Sequence, residues 1–255
     1  MIFLPALWQL RPTPIQGYVG ANGSGKTAMA VTDAIALSKN KTLISNIAIN
    51  PPPENNTTVI RLTSLSQLAW FEQRKNPDGS IWFDENGMPK RELHTIKNAH
   101  ILIDEAQFIF NSRDTLAVPR EIQGLLASLR HHQLTFAWTT PTLGMMEVQI
   151  RRVTQSVIAM KSLWGKKIEG EYWPRTLLSA AVQYDLRSTI DEELTETTPR
   201  MTDGWVTMKS LAVNNYDSFE DVQMIDDHLV CEYCGKTHRR EYASHGVGEH
   251  PKNAS

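Results

Sequence analysis

The sequence predicts an α/β fold: a central, mostly parallel sheet with helices on its faces. Three observations carry that expectation. Gly20-Ala21-Asn22-Gly23-Ser24-Gly25-Lys26-Thr27 fits the phosphate-cradling pattern G-x-x-x-x-G-K-[ST] at every fixed position. The short apolar stretch Ile15 to Val19 precedes it, and the Ala-rich, helix-forming stretch Ala28 to Leu37 follows it. Farther on, the run AHILIDE (Ala99 to Glu105) ends an apolar strand in two acids. That run has the length of a parallel strand buried on both faces, whose C-terminal end is where open α/β sheets bind ligands.

The chemistry of these residues follows from their types. Glycines let the backbone wrap a phosphate chain with its N–H groups turned inward, and the N-terminus of the following helix favours negative charge. Gly20, Ala21, Asn22, Gly23, Ser24, Gly25, Lys26 and Thr27 are the candidate nucleotide-binding residues. Lys26 can reach the β- and γ-phosphates, and the Thr27 hydroxyl can ligate Mg²⁺. Asp104 would hold Mg²⁺, directly or through water, and Glu105 would polarise the attacking water. A nucleoside triphosphate and Mg²⁺ are therefore the expected ligands.

In chain order, residues 1–14 read as an extended leader, with Pro12 and Pro14 opposing helix. After the loop and its helix, Thr42 to Ile49 reads as a strand stopped by Pro51-Pro52-Pro53, and Thr58 to Leu62 as another. Ser64 to Arg74 has helical spacing behind a Ser64 N-cap. Asn86-Gly87 between Ile81-Trp82-Phe83 and Met88 to Leu93 signals a hairpin inserted at about 77–95, with a surface loop as the alternative. Pro119 to His132 reads as a helix, Leu134 to Thr139 as a buried strand, Pro141 to Ile150 as a helix and Thr154 to Met160 as a strand. Thr139 and Thr140 stand where a polar side chain could sense a γ-phosphate or simply cap a strand. Glu171 to Trp173 and Leu177 to Leu186 suggest an antiparallel edge extension, and the acidic, Thr-rich stretch 189–204 a linker.

With 255 residues the chain has room for one large domain and an appendage, here 1–225 and 226–255. A formal charge of -2 excludes a globally basic coat for nucleic acid, though not a local patch. The apolar start, Met1 to Leu10, lacks the basic region and cleavage site of a signal peptide. No apolar run approaches the roughly 20 residues of a spanning helix, so a soluble protein without direct membrane insertion is expected.

Asp104-Glu105-Ala106-Gln107, then Arg113, then the helix ending in Leu129-Arg130-His131, a strand, a proline and Ile150-Arg151 form an ordered set. Over roughly residues 15–220 this order resembles the zonula occludens toxin-like ATPases of filamentous phages. Those lie within the FtsK–HerA class of P-loop motors, which also holds viral genome-packaging ATPases. Tyr216-Asp217-Ser218-Phe219-Glu220 is similar to a segment that closes such domains. The resemblance implies a RecA-like P-loop NTPase fold with ATP as its nucleotide and a homo-oligomeric ring, often a hexamer, with DNA and capsid or assembly proteins as partners. It also implies a place in the host cytoplasm or the virion. A neighbour's arginine would stabilise charge in phosphoryl transfer; Arg130 and Arg151 lead, beside Arg113 and Arg152. The family's usual Gln at the end of the strand after the acidic pair is replaced by Thr139 and Thr140, and the phage members' transmembrane helix has no counterpart here. A DNA-translocating packaging ATPase is the leading expectation. A phage assembly or extrusion ATPase acting on coat or export machinery is the second, and a non-motor nucleotide-binding regulator the third.

The two cysteines lie together in Cys231-Glu232-Tyr233-Cys234-Gly235, the outline of a zinc knuckle. Two more ligands would close a tetrahedron: His238 and His245 first, His228 and His250 as alternatives. Free thiols in a tail are the competing reading.

Overall fold

The computed structural model describes residues 11–85, 87–111, 118–166, 175–187, 194–207, 215–216, 229–230 and 237–238. Its centre is an eight-stranded sheet. The strands are β1 (Ile15–Val19), β2 (Thr42–Ser45), β3 (Thr58–Arg61), β6 (Ala99–Ile103), β7 (Thr135–Thr140), β8 (Ser156–Lys166), β9 (Arg175–Asp185) and β10 (Arg200–Thr207), in the order β10-β9-β8-β1-β7-β6-β2-β3. Every pair from β8 across to β3 is parallel; β9 and β10 add an antiparallel edge. This is the P-loop NTPase architecture, with the phosphate loop joining β1 to α1 (Lys26–Leu37).

Period-two alternation along the central strands feeds two cores. Ile15, Val19, Ile101, Ile103, Phe136, Trp138 and Val157 face a layer that includes α2 (Arg120–Ser128) and α3 (Val148–Val153). Tyr18, Leu43, Leu102, Ala137, Ile158 and Met160 face α1, which answers with Ala28, Met29, Val31, Ala34 and Ile35. Each fully buried aliphatic side chain contributes about 1.5–3 kcal/mol. Gly17 sits mid-strand for a packing reason. It pairs in register with Trp138, and a Cβ there would lie 2.4 Å from the indole ring. The alternation also sets the site: Asp104 follows Ile103 on the phase of Leu102, and Thr139 keeps the phase of Ala137, so both turn toward α1.

Four segments differ from expectation. Ser64 to Arg74 is not a helix. One 3₁₀ turn, Leu65–Gln67, is closed by a reciprocal Ser64/Gln67 capping box and gives way to β4 (Ala69–Gln73), paired antiparallel with β5 (Arg91–Thr95). The single turn already buries Leu65, Leu68 and Ala69, and the Trp70-Phe71 pair then favours strand. The inserted hairpin therefore begins at Ala69, and bridges Lys75–Ile81 and Phe83–Pro89 continue it around the expected turn at Gly87. The helix expected to reach His132 ends at Ser128, whose hydroxyl donates to the Gly124 carbonyl. Pro141 to Ile150 divides into a 3₁₀ turn, Leu143–Met145, and α3, whose start is capped by Glu147. The expected linker 189–204 contributes its end to β10, paired with β9. Among the described residues no helix is long and apolar enough to cross a membrane.

Candidate active site

The phosphate loop is built as its glycines require. Gly23 and Gly25 adopt φ of 77° and 88°, the left-handed region that costs other residues strain. A Cβ on Gly20 would come within 2.5 Å of both the Met160 carbonyl and the Ser24 hydroxyl. No side chain caps α1 and no acid occupies its first turn, so its N-terminus is free to favour an anion. Two ties hold the loop. The Gly20 N–H donates to the Pro141 carbonyl at 3.2 Å, and the Ser179 hydroxyl of β9 donates to the Ser24 carbonyl at 2.7 Å. The buried Ser24 hydroxyl has no hydrogen-bond partner among the described residues. A glycine-shaped cradle with an unsatisfied hydroxyl and an open helix end suits a phosphate chain.

The acids arrive from β6. Thr27 donates its hydroxyl to Asp104 Oδ1 at 2.9 Å, and Thr139 donates to the same oxygen at 2.6 Å. Thr139 in turn accepts from the Glu105 N–H at 2.9 Å. One hydroxyl therefore braces both acids, and its own proton is committed to Asp104. Thr140 is also buried and donates to the Thr142 carbonyl. Both threonines thus act as strand-end braces in this structure. Asn46 adds a second brace: its carbonyl accepts from the Asp104 N–H at 2.8 Å and its amide donates to the Asp104 carbonyl at 2.9 Å. Nothing in the spacing around Asn46 signalled that role. It sits where β2 ends, one residue past Ser45, because its side chain has taken over the pairing to β6 that the backbone would have made.

Burial raises the Asp104 carboxyl above its ordinary range, and the Thr139 and Thr27 hydroxyls oppose that rise. A divalent cation would favour the ionised form. The Thr27 hydroxyl beside one carboxylate fits Mg²⁺, which takes few protein ligands and completes its shell with phosphate oxygens and water. No cluster of three His, Cys, Asp or Glu occurs among the described residues.

Glu105 stands on a left-handed backbone at φ 50°. Its Oε1 is 2.8 Å from the Lys26 ammonium, and its Oε2 accepts from the Gln107 amide at 2.5 Å. Lys26 also donates to Asn22 Oδ1 at 3.4 Å. Lys26, Thr27, Asp104 and Glu105 are thus brought together.

The arginines are not. Arg130 lines a hollow of about 180 Å³ with Pro14, Ile15 and Gln155, at the end of β1 opposite the phosphate loop. Arg151 lies in the last turn of α3 and donates through Nε to the Met146 carbonyl. Neither reaches the Lys26–Glu105 pair of its own chain. Arg113, Cys231, Cys234, His245, His228 and His250 lie outside the described residues. Of the expected zinc ligands only the backbone of His238 is described, in a short antiparallel pair of β11 (Leu229–Val230) and β12 (Thr237–His238). Tyr216, bridged to Ile49, is pushed up to about 12 by burial and by the Asp104 charge, so Tyr216 itself lies near the site.

Two solved structures align over most of their own length. The N-terminal domain of zonular occludens toxin from Neisseria meningitidis aligns at 16% identity, covering 74% of this chain and 94% of that one, with a TM-score of 0.41. The genome packaging NTPase B204 from Sulfolobus turreted icosahedral virus 2, in complex with ATP-γ-S, aligns at 15% identity, covering 70% and 95%, with a TM-score of 0.39. No curated protein matches the chain. The sequence pattern of zonular occludens toxin (Zot) matches residues 15–176, which span the phosphate loop, both acids and most of the sheet, and the chain belongs to that family.

Proposed function

We propose that the chain is a Mg²⁺-dependent ATPase that drives a nucleic-acid motor, with packaging of a viral genome as its leading role. The observation that carries this reading is the convergence of Lys26 and Thr27 from α1 with Asp104 and Glu105 from β6. In it, the loop N–H groups and Lys26 bind and orient the phosphates. Thr27 and Asp104 hold Mg²⁺, which when bound neutralises phosphate charge. Glu105 takes a proton from water as its oxygen attacks the γ-phosphorus, and the bond to ADP breaks with its electron pair leaving on ADP. A ring of copies would let a neighbouring Arg130 or Arg151 approach this centre. B204 is described as a genome packaging NTPase, which agrees with the packaging role.

Family membership favours a second reading, an assembly ATPase acting on coat or export machinery. The test is ATP turnover by the full chain with and without single- and double-stranded DNA, with EDTA as a control. Stimulation by either DNA supports the motor, and unstimulated turnover favours the assembly reading. Absence of Mg²⁺-dependent turnover overturns both and leaves the nucleotide-binding regulator.

We further infer that residues 226–255 form a small unit organised by one zinc ion on Cys231, Cys234, His238 and His245. The β11–β12 pair flanks the segment that carries both cysteines, which supports this reading.

A further inference from the structure

Gln107 is buried, with 4% of its surface exposed. Its amide nitrogen donates to Glu105 Oε2, while its own carbonyl oxygen Oε1 is buried without a hydrogen-bond partner among the described residues. A buried, unsatisfied carbonyl is costly, and an apolar side chain of equal length would avoid the cost. Gln107 lies on the 3₁₀ turn Ala106–Phe108 that directly follows the left-handed Glu105, so the backbone kink brings the two side chains side by side.

The Glu105 carboxylate is held at both oxygens, by Lys26 on Oε1 and Gln107 on Oε2. These two holds differ in fate. Lys26 is the residue that a γ-phosphate must engage, so nucleotide binding draws it away from Oε1. Among the described residues the Gln107 side chain hydrogen-bonds only to Glu105, with no bond to the phosphate loop for a nucleotide to displace.

We propose that Gln107 is the positioning residue of the hydrolytic step, keeping Glu105 aimed through Oε2 once the phosphates have claimed Lys26. Oε1 of Glu105 is then open to accept the proton of the attacking water, whose oxygen bonds to the γ-phosphorus as the bond to ADP breaks and phosphate departs. This inference rests on the ATPase reading above.

The test compares Gln107→Met, Gln107→Ala and Gln107→Asn with wild type in the full chain. Met keeps the length and volume of Gln and removes both polar ends. Gln107→Met should melt close to wild type, because relief of the unsatisfied carbonyl offsets the lost bond to Glu105. It should bind a fluorescent ATP analogue within about twofold of wild type. Its kcat should fall by roughly 10–100-fold with KM little changed, the range expected when a catalytic group loses its aim. Gln107→Asn, with its amide one methylene short, should be no better than Gln107→Ala. If Gln107→Met turns over at the wild-type rate, or loses rate only in proportion to lost affinity or folding, Gln107 is a packing residue and the proposal falls. Absence of turnover by wild type itself overturns the ATPase reading and this one together.

Discussion

At the scale of single residues, the proposed site divides into groups that would bind and groups that would react. Lys26→Ala should abolish binding of a fluorescent ATP analogue, since the phosphates lose their cation. Glu105→Gln should keep binding and slow hydrolysis at least ~100-fold, a common cost of losing a positioned base. Single-turnover assays separate the two effects, and loss of binding in Glu105→Gln would recast Glu105 as a ligand holder. A second buried carboxyl lies beneath the loop. Asp33 of α1 accepts from the Tyr18 hydroxyl at 2.8 Å, which accepts from Gln16, and burial pushes Asp33 up to about 7 and Tyr18 well above its usual range. Between about pH 4 and pH 7 the folded protein therefore holds a proton that the unfolded chain releases. Stability falls as pH rises through that window and is level above it. Asp33→Asn keeps the bond from Tyr18 and cannot ionise. It should stabilise the protein at pH 8 by roughly 1–3 kcal/mol, with the gain smaller at pH 5 and vanishing only below about pH 4. Melting curves at both pH values decide this, and an equal change at both would refute it.

At the scale of elements, Gly17 and Trp138 make one statement about β1 and β7. The indole is fully buried, bonded through Nε1 to the Thr154 hydroxyl, and has nowhere to move. Gly17→Ala should cost about 1–3 kcal/mol or more, an overpacking penalty, measurable by urea unfolding. Elements were legible where one local rule acted alone. The β1–loop–α1 unit is dictated by glycines and an Ala-rich run, and β6 by an apolar run ending in acids. They failed where a rule was satisfied by a shorter structure than expected. Leu65, Leu68 and Ala69 have helical spacing, yet one turn and the start of β4 bury all three. β10 carries a mixed sequence because it is an edge strand with one half-exposed face, so its alternation is weak. In the site, residue types with obvious chemistry could be named in advance. Asn46 and Thr139 could not be given their parts, because bracing a neighbouring strand depends on register, which spacing in one segment does not encode.

At the scale of the whole molecule, the chain is proposed to pair a sheet whose loop-bearing ends gather a site with a C-terminal unit, residues 226–255, too short to form its own core. If zinc orders residues 226–255, chelation should expose that tail to limited proteolysis while the ATPase domain stays intact. Metal analysis showing no zinc, or a tail equally protected after chelation, would sink that division of the chain. The parallel sheet also explains why Lys26 and Glu105 meet at all: β1 and β6 flank β7, so their C-terminal ends open onto one crevice. The 2.8 Å pair they make there turns Glu105 into a competitive inhibitor that the protein carries covalently, occupying the amine at very high effective concentration until a nucleotide evicts it. Apparent affinity for ATP is lowered by the fraction of chains in which the pair is closed. Replacing Glu105 by Gln should therefore tighten nucleotide binding even as it stops turnover, and the gain should shrink with added salt only slightly, since the pair is mostly shielded from solvent.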